Sequence, residues 1–183
     1  GCGCGEPTAE EGLECDGTPS NFVYEVSTSV ANYFYKSVTM DGYAITSDDW
    51  VGAFNGDVCV GSFKWNTVVC NGGICSVPVN GDDGQPYSSG YMLSGDYPTF
   101  KIYDFSENTY VDAMPTEEIP YANLGFFILD GLHAGDDCEG TPNGGVIFDE
   151  CGVCGGNGYD DWECNDSDDG CWDIAEGACD CDG

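Results

Sequence analysis

Cysteine is the residue type with the most chemistry to offer in this sequence, and it is unevenly placed. Of 13 cysteines in 183 residues, three lie in 1–20, three in 21–137 and seven in 138–183. So many cysteines are typical of an oxidising, extracytoplasmic compartment in which disulfides persist. We therefore expect an extracellular or cell-surface protein. Because 13 is odd, at least one sulfur is free or is bonded to a partner outside the chain.

Spacing suggests different roles for these cysteines. We predict that Cys70 and Cys75 close a small disulfide loop within a hairpin. Disulfides are also predicted, without an assigned pairing, for the C-terminal Cys151, Cys154, Cys164 and Cys171. The two members of a Cys-x-Cys pair rarely bond to each other, so each is expected to reach a different partner. Bridges between chains are therefore predicted for Cys2, Cys4, Cys179 and Cys181.

The same spacings argue against a metal or haem centre built on thiolates. Cys151-x-x-Cys154 matches one zinc or rubredoxin knuckle, but no second knuckle completes the pattern. No Cys-x-x-Cys-His motif is present either. We therefore expect neither zinc, iron nor haem.

Carboxylates are the second class of reactive group. The sequence has 34 Asp and Glu against three Lys and no Arg, a net charge of −31. Calcium is the cation that such oxygen ligands suit best, and we predict it in the acidic C-terminal segment. The candidate ligands there are Asp160, Asp161, Glu163, Asn165, Asp166, Asp168 and Asp169; a second candidate loop holds Asn80, Asp82 and Asp83. A solvated acidic surface and an ordinary turn are the respective alternatives.

The negative charge also excludes several kinds of partner. Three scattered lysines cannot form the basic face that DNA or RNA requires. An anionic membrane surface would repel the chain, and no apolar run is long enough to cross a bilayer. We therefore expect neither nucleic-acid binding nor membrane insertion.

Few residues are suited to catalysis. His133 is the only histidine, and no nucleophile or partner accompanies it in the sequence. Pairs of carboxylates are uninformative among so many acids, so we do not expect an enzyme. Aromatic rings could instead stack on sugars, and the candidates for such a platform are Trp50, Trp65, Tyr87 and Tyr91. The alternative is that these rings belong to the core.

Strands must position most of these groups. Runs rich in aromatic and β-branched residues, such as 22–27, 33–38 and 99–105, alternate with clusters of turn residues. Asn55-Gly56 lies between two apolar runs, as in a hairpin turn. Pro78 marks another run as an edge strand.

These patterns predict a mainly β fold with a central domain at 21–137. Seven to nine short strands in about 115 residues favour an antiparallel β-sandwich or jelly roll. Disulfide-rich, irregular arms at 1–20 and 138–183 flank this domain. Because the chain opens at Gly1 without a signal peptide, we expect a processed chain or a part of a longer one.

A short phrase is repeated on both sides of the β domain. Cys-Asp-Gly-Thr-Pro at 15–19 returns as Cys-Glu-Gly-Thr-Pro at 138–142. CGVCGG at 151–156 resembles the cysteine-rich segment of thrombospondin-motif metalloproteases, although no HExxH helix is present. Together with GCGCGE at 1–6 and ACDCDG at 178–183, it also resembles connector repeats in very large secreted or surface proteins of marine bacteria. The central stretch looks like the β modules of those proteins.

The repeated phrase, the odd cysteine and the lack of catalytic machinery predict a non-enzymatic building block. We expect a structural or adhesive repeating subunit of a surface layer or fibre, stabilised by disulfides and Ca²⁺. Its expected partners are copies of itself, joined head to tail. The alternative is a carbohydrate-binding module of a larger secreted protein, with a glycan as its partner.

Overall fold

Alternation of side chains along each strand builds the central domain. In the first strand Ala31, Tyr33 and Tyr35 are buried, whereas Asn32 and Phe34 between them are partly exposed. This computed structural model describes residues 2, 9, 11–149 and 152–156. Its strands are β1 (Ser29–Met40), β2 (Tyr43–Ala44), β3 (Trp50–Asn55), β4 (Val58–Lys64), β5 (Cys75–Gly81), β6 (Thr99–Asp104), β7 (Thr109–Pro115) and β8 (Phe126–Ala134). Short 3-10 turns lie at Ser20–Phe22, Thr67–Val69, Asn71–Gly73 and Pro86–Ser88.

All eight strands belong to one hydrogen-bonded sheet. Its order is β2-β1-β8-β7-β6-β3-β4, with β5 paired to β1. The pairings are antiparallel except that of β1 with β8, which is parallel from Asn32 opposite Phe126 to Met40 opposite Ala134. The predicted mainly β fold is confirmed. The expectation of a wholly antiparallel domain is wrong at this pair, because β8 follows β1 after a long crossover and not after a tight turn.

The sheet curls into a half-barrel around its apolar side chains. The curl brings the edge strand β4 against β5, where Asn80 Nδ2 donates to the Val60 carbonyl oxygen at 2.7 Å. Gly61 permits this approach, because a Cβ there would overlap the Pro78 carbonyl oxygen. Residues that are at most 1% exposed fill the interior, among them Tyr33, Tyr35, Val51, Val60, Val77, Val79, Met92, Ile102 and Leu132.

The hairpin predicted at Asn55-Gly56 is present, but the strand predicted at 22–27 is not. Asn55 pairs with Val58 across the turn. Residues 23–27 belong to no strand and to no regular element. Side chains replace the strand partner, since Glu25 N donates to the Tyr91 hydroxyl at 2.8 Å and Ser27 N donates to Asn80 Oδ1 at 3.0 Å.

The N-terminal segment covers part of the outer face of the sheet. Phe22 is fully buried there and packs edge-on against Phe54, Tyr103 and Tyr110, with ring centroids 5.3–6.4 Å away. Gly52 leaves the space for this ring, because a Cβ would lie 2.7 Å from it. A second, smaller apolar cluster therefore holds residues 11–22 against the sheet.

The C-terminal segment packs against the turn between β1 and β2. Phe148 N donates to the Gly42 carbonyl oxygen at 2.9 Å, and the Phe148 and Tyr43 rings stack with centroids 4.7 Å apart. Both flanking segments thus contact the sheet where the structure describes them. No helix among all the residues that the structure describes is long and apolar enough to cross a membrane.

Candidate functional site

One loop conformation occurs three times, and we call each occurrence a connector loop. The first spans 12–20, the second 135–143 and the third 147–155, of which 150 and 151 lie outside the described residues. The first two contain the repeated phrase at 15–19 and 138–142. The three loops are recognised by the same set of backbone hydrogen bonds.

In the first connector loop, three backbone hydrogen bonds close a turn. Glu14 N donates to Thr18 O at 2.7 Å, and Gly17 N donates to Glu14 O at 2.9 Å. The first and last residues of the loop, which form its base, are joined by Ser20 N, which donates to Gly12 O at 2.9 Å. Gly17 adopts a φ of +84°, a left-handed conformation that strains residues bearing a Cβ. An acid followed three residues later by glycine is therefore the sequence signature of this loop.

The second connector loop repeats each of these bonds. Asp137 N donates to Thr141 O at 2.9 Å, and Gly140 N donates to Asp137 O at 2.8 Å. Asn143 N closes the base by donating to Gly135 O at 2.6 Å. Gly140 has a φ of +78°. The repeated phrase thus encodes one conformation on both sides of the β domain.

The third connector loop has the same bonds without the same phrase. Asp149 N donates to Val153 O at 3.0 Å, and Gly152 N donates to Asp149 O at 2.9 Å. Gly155 N donates to Ile147 O at 2.9 Å, and Gly152 has a φ of +75°. The repeated phrase did not reveal this copy, because the third loop shares only the acid and the glycine with the second loop. The third loop begins 12 residues after the start of the second loop, so the two form consecutive repeats.

Carboxylates in the loops accept backbone N–H groups. Asp137 Oδ1 accepts from Glu139 N at 3.0 Å and Thr141 N at 2.8 Å, and the Thr141 bond lowers the pKa of Asp137 below its ordinary value. Asp149 Oδ1 accepts from Val153 N at 2.8 Å in the equivalent position. These carboxylates are structural parts of the loops, which explains some of the acid content of the chain.

Disulfides fasten the connector loops. Cys138 of the second loop is bonded to Cys154 of the third, and Cys15 of the first is bonded to Cys2. Cys2 is therefore not available for a bridge between chains, which corrects the expectation for this residue. The predicted cysteines Cys4, Cys151, Cys164, Cys171, Cys179 and Cys181 lie outside the described residues.

Two cysteine features belong to the β domain. Cys70 and Cys75 form the short-loop disulfide predicted from their spacing, although this loop joins β4 to β5, which are not hairpin partners. Cys59 is the free cysteine of the described part, and burial raises the pKa of its thiol to about 11. Such a thiol is unreactive at neutral pH. The disulfides indicate an oxidising, extracellular-type environment.

The candidate calcium loop at 80–83 is occupied by internal hydrogen bonds. Asp83 accepts from Thr28 N at 3.0 Å, from the Tyr87 hydroxyl at 2.8 Å and from Ser88 Oγ at 2.7 Å; the Thr28 bond is the first cause that lowers its pKa. Both ends of the Asn80 amide are bonded in the core, so Asn80 does not face Asp82 and Asp83 as a ligand.

Calcium ligation by the C-terminal acids stays a prediction. The candidates Asp160, Asp161, Glu163, Asn165, Asp166, Asp168 and Asp169 lie outside the described residues. Among the residues described, no group of three or more His, Cys, Asp and Glu side chains could hold a metal ion.

His133 links β8 to the second connector loop. Its ring is 5% exposed, and Nδ1 lies 2.7 Å from Thr39 Oγ1. A Cβ at Gly145 would lie 3.0 Å from Nε2, so the segment after the loop passes directly over the ring. Burial lowers the pKa of His133, and Asp137 opposes this effect only partly. The neutral histidine is therefore a packing element between sheet and connector.

Burial removes two of the four rings predicted as a sugar platform. Trp65 is 4% exposed and Tyr91 is 5% exposed, and both pack in the core of the half-barrel. Tyr87 is exposed but donates its hydroxyl to Asp83. Trp50 is half-buried beside the first connector loop. The four rings do not share one exposed face, because Trp65 and Tyr91 pack in the half-barrel core whereas Trp50 packs against the outer cluster.

Trp50 lines a groove that the sequence did not indicate. This groove, of about 610 Å³, lies between the first connector loop and the outer face of β3 and β4; we call it the N-terminal groove. Its walls include Glu14 and Asp16 of the loop and the exposed side chains of Val23 and Val26. No signal of residue type or spacing marks it, because its two walls come from distant parts of the chain.

No protein-family model matches the chain, and no match was found among curated proteins or solved structures. The function is therefore inferred from the connector loops and the groove beside them.

Proposed function

We propose that this chain is a non-enzymatic, extracellular building block whose flanking connector loops join it end to end with further copies. The observation that carries this proposal is the shared conformation of loops 12–20 and 135–143, which precede and follow one β domain in the sequence. A unit with the same joint at its beginning and its end can be repeated without limit. A structural or adhesive subunit of a surface layer or fibre requires this property.

Features of the β domain support a joint made by the connectors and not by strand addition. The edge strand β4 is brought against β5, and the remaining edge strand, β2, has only two residues. Short or covered edges resist pairing with a second sheet. A jelly-roll or two-sheet sandwich arrangement of the domain stays a prediction.

Disulfides and cations would hold such joints against electrostatic repulsion. A net charge of −31 makes copies repel one another over about 10 Å at ordinary ionic strength. Calcium bound to the acidic C-terminal segment would reduce this repulsion. Interchain disulfides through Cys4, Cys179 or Cys181 would overcome it covalently.

Carbohydrate binding is the second candidate function. The N-terminal groove combines the half-buried Trp50 and Tyr24 rings with the carboxylates of Glu14 and Asp16. Aromatic faces with nearby hydrogen-bonding groups are the usual lining of a sugar site. Titration with neutral oligosaccharides, followed by calorimetry, tests this candidate.

Sedimentation of the oxidised chain tests the main proposal. We expect species larger than a monomer whose fraction grows with protein concentration and with added Ca²⁺, and ordered polymers in negative-stain images. Non-reducing electrophoresis separates covalent from non-covalent joints. A chain that stays monomeric at all concentrations, with Ca²⁺ and with EDTA alike, would contradict the proposal.

A further inference from the structure

The loop between β4 and β5 exposes two adjacent valines. Val68 is 90% exposed and Val69 is 71% exposed. They lie on the 3-10 turn Thr67–Val69, whose first N–H groups are capped by Asn66: its Oδ1 accepts from Val68 N at 3.1 Å. We call Val68 and Val69 the valine knob. Covering two adjacent side chains that are so exposed would remove their apolar surface from water, which favours contact with a second molecule.

A disulfide holds the knob in place before any contact forms. Cys70 follows Val69 directly and is bonded to Cys75 at the start of β5. The bond anchors the residue that follows the knob to β5, so the C-terminal end of the turn is fixed. Little conformational entropy is lost when a pre-formed knob binds.

Charge distribution favours this loop as a contact between copies. Residues 65–81 form the longest uncharged stretch of a sequence that holds 34 acids and three lysines. Two polyanionic copies can approach most closely where carboxylates are absent. The knob lies within this stretch.

The N-terminal groove offers a complementary surface on the same chain. Val23 and Val26 on its wall are 52% and 73% exposed, and Trp50 and Tyr24 add aromatic area. Its volume of about 610 Å³ exceeds what two valine side chains require. The groove is also bounded by the first connector loop, which places it at one of the two ends proposed to join copies.

We propose that the valine knob of one copy inserts into the N-terminal groove of a second copy. This inference rests on the proposed end-to-end assembly and names its non-covalent contact. A patch that fits a groove elsewhere on the same molecule makes a heterologous contact, which propagates into an open polymer unless the rotation between copies closes a ring. The contact is small, so each one is weak and the assembly gains strength from repetition. Salt strengthens it, because screening weakens the repulsion between copies.

Sedimentation equilibrium of the oxidised chain at low salt and at 0.5 M NaCl tests the contact. Val68→Asp changes the knob, and Val26→Asp changes the groove independently. Leu124→Asp is the matched control, since Leu124 is 81% exposed and the substitution adds the same charge elsewhere. We expect both test variants to raise the dissociation constant about tenfold or more, and the control to stay within about twofold. Circular dichroism verifies that all three variants fold.

The outcomes separate this contact from the assembly itself. Loss of association in both test variants, with the control intact, supports the knob in the groove. Undiminished association of Val68→Asp and Val26→Asp overturns the contact while the end-to-end function stands. A wild-type chain that never associates contradicts the proposed function. If such a monomer binds cellohexaose through Val26 and Trp50, the groove is a sugar site and the contact is overturned.

Discussion

The β domain and the connector loops are stabilised by different means. The half-barrel buries Tyr33, Val51 and Ile102 almost completely, and apolar burial supplies most of its stability. The connector loops expose most of their residues and are organised by backbone hydrogen bonds, left-handed glycines and disulfides. We therefore expect the domain, whose one described disulfide, Cys70–Cys75, closes only a short loop, to keep its fold on reduction, whereas the joints require oxidation.

Acidic residues are also used differently in the two regions. On the sheet, Asp130 and Asp48 are exposed partners of Lys36 and Lys64. Exposed ion pairs of this kind contribute little to stability. In the connector loops, carboxylates such as Asp137 accept backbone N–H groups and define the turn. An acid in an exposed ion pair, such as Asp130, is therefore replaceable, whereas Asp137 in the second connector loop is not.

Substitution in the core gives the largest expected effect. Ile102→Ala removes a side chain that is fully buried, so we expect unfolding to become easier by about 2–5 kcal/mol. Ile128→Ala is the matched control, because Ile128 is 56% exposed on the same sheet, and its expected effect is below about 0.5 kcal/mol. Urea denaturation measures both. Equal effects would contradict the description of the half-barrel as the apolar core.

Removal of a connector disulfide is expected to affect the connector and to leave the sheet unchanged. Cys138→Ser with Cys154→Ser opens a link between residues 16 apart, for which the chain-entropy account gives about 3 kcal/mol. We expect faster hydrogen exchange in residues 135–149 and unchanged exchange in β3, β4 and β6. Exchange measured by mass spectrometry shows both regions at once. Faster exchange throughout the sheet would mean that domain and connector are one cooperative unit.

A glycine test addresses the loop conformation. Gly140→Ala places a Cβ on a residue with φ of +78°, at an expected cost of about 1–2 kcal/mol to the loop. Among the described residues, apart from the two chain neighbours, no atom lies within 4 Å of that Cβ, so we attribute the cost to the backbone. Gly140→Asn is the control, since asparagine tolerates this conformation better. Hydrogen exchange of residues 135–146 distinguishes them, and identical exchange in both variants would argue against a left-handed residue at this position.

Removal of two tyrosine hydroxyls in the core is expected to change stability by smaller amounts and in opposite directions. The Tyr35 hydroxyl is buried without a hydrogen-bond partner among the described residues, whereas the Tyr33 hydroxyl donates to Ile119 O at 3.1 Å. Tyr35→Phe should therefore stabilise the domain by about 1 kcal/mol, and Tyr33→Phe should destabilise it by a similar amount. Thermal unfolding of the two variants decides. A loss of stability in Tyr35→Phe would indicate a partner for its hydroxyl.

His133 predicts a pH dependence confined to the joint between the two regions. Its pKa in the folded chain lies below the ordinary value of 6.5, so the unfolded state binds the proton more readily. The contribution of His133 to the free energy of unfolding is therefore fully present above pH 6.5 and falls as the pH drops below that value. His133→Gln should remove this part of the pH dependence. The same slope between pH 7 and pH 5 in wild type and variant would show that His133 does not cause it.

The sequence carried more information about the domain than about the joints. Alternation in residues 33–38 and the Asn55-Gly56 pair predicted β1 and the β3–β4 hairpin, because local pattern determines both. The parallel pairing of β1 with β8 has no local signal. Residues 22–27 resemble a strand, but tertiary hydrogen bonds from their backbone to the side chains of Tyr91 and Asn80 override their strand propensity.

The candidate site was predictable only in part, for a related reason. The repeated phrase revealed two connector loops, since four of its five residues are identical in the two copies and the fifth is an acid in both. The third loop shares only Asp149 and Gly152 with that pattern, because backbone bonds place few demands on the other side chains. The N-terminal groove required the fold, as its walls at 14–26 and at Trp50 meet only after the sheet has formed.

Sedimentation velocity of the chain before and after reduction tests the central claim most directly. Circular dichroism on the same samples reports whether the sheet persists. We predict that the oxidised chain forms assemblies and that the reduced chain keeps its β spectrum but sediments as a monomer. Assemblies of equal size in both states would contradict the claim that disulfide-fastened connector loops are the joints between copies.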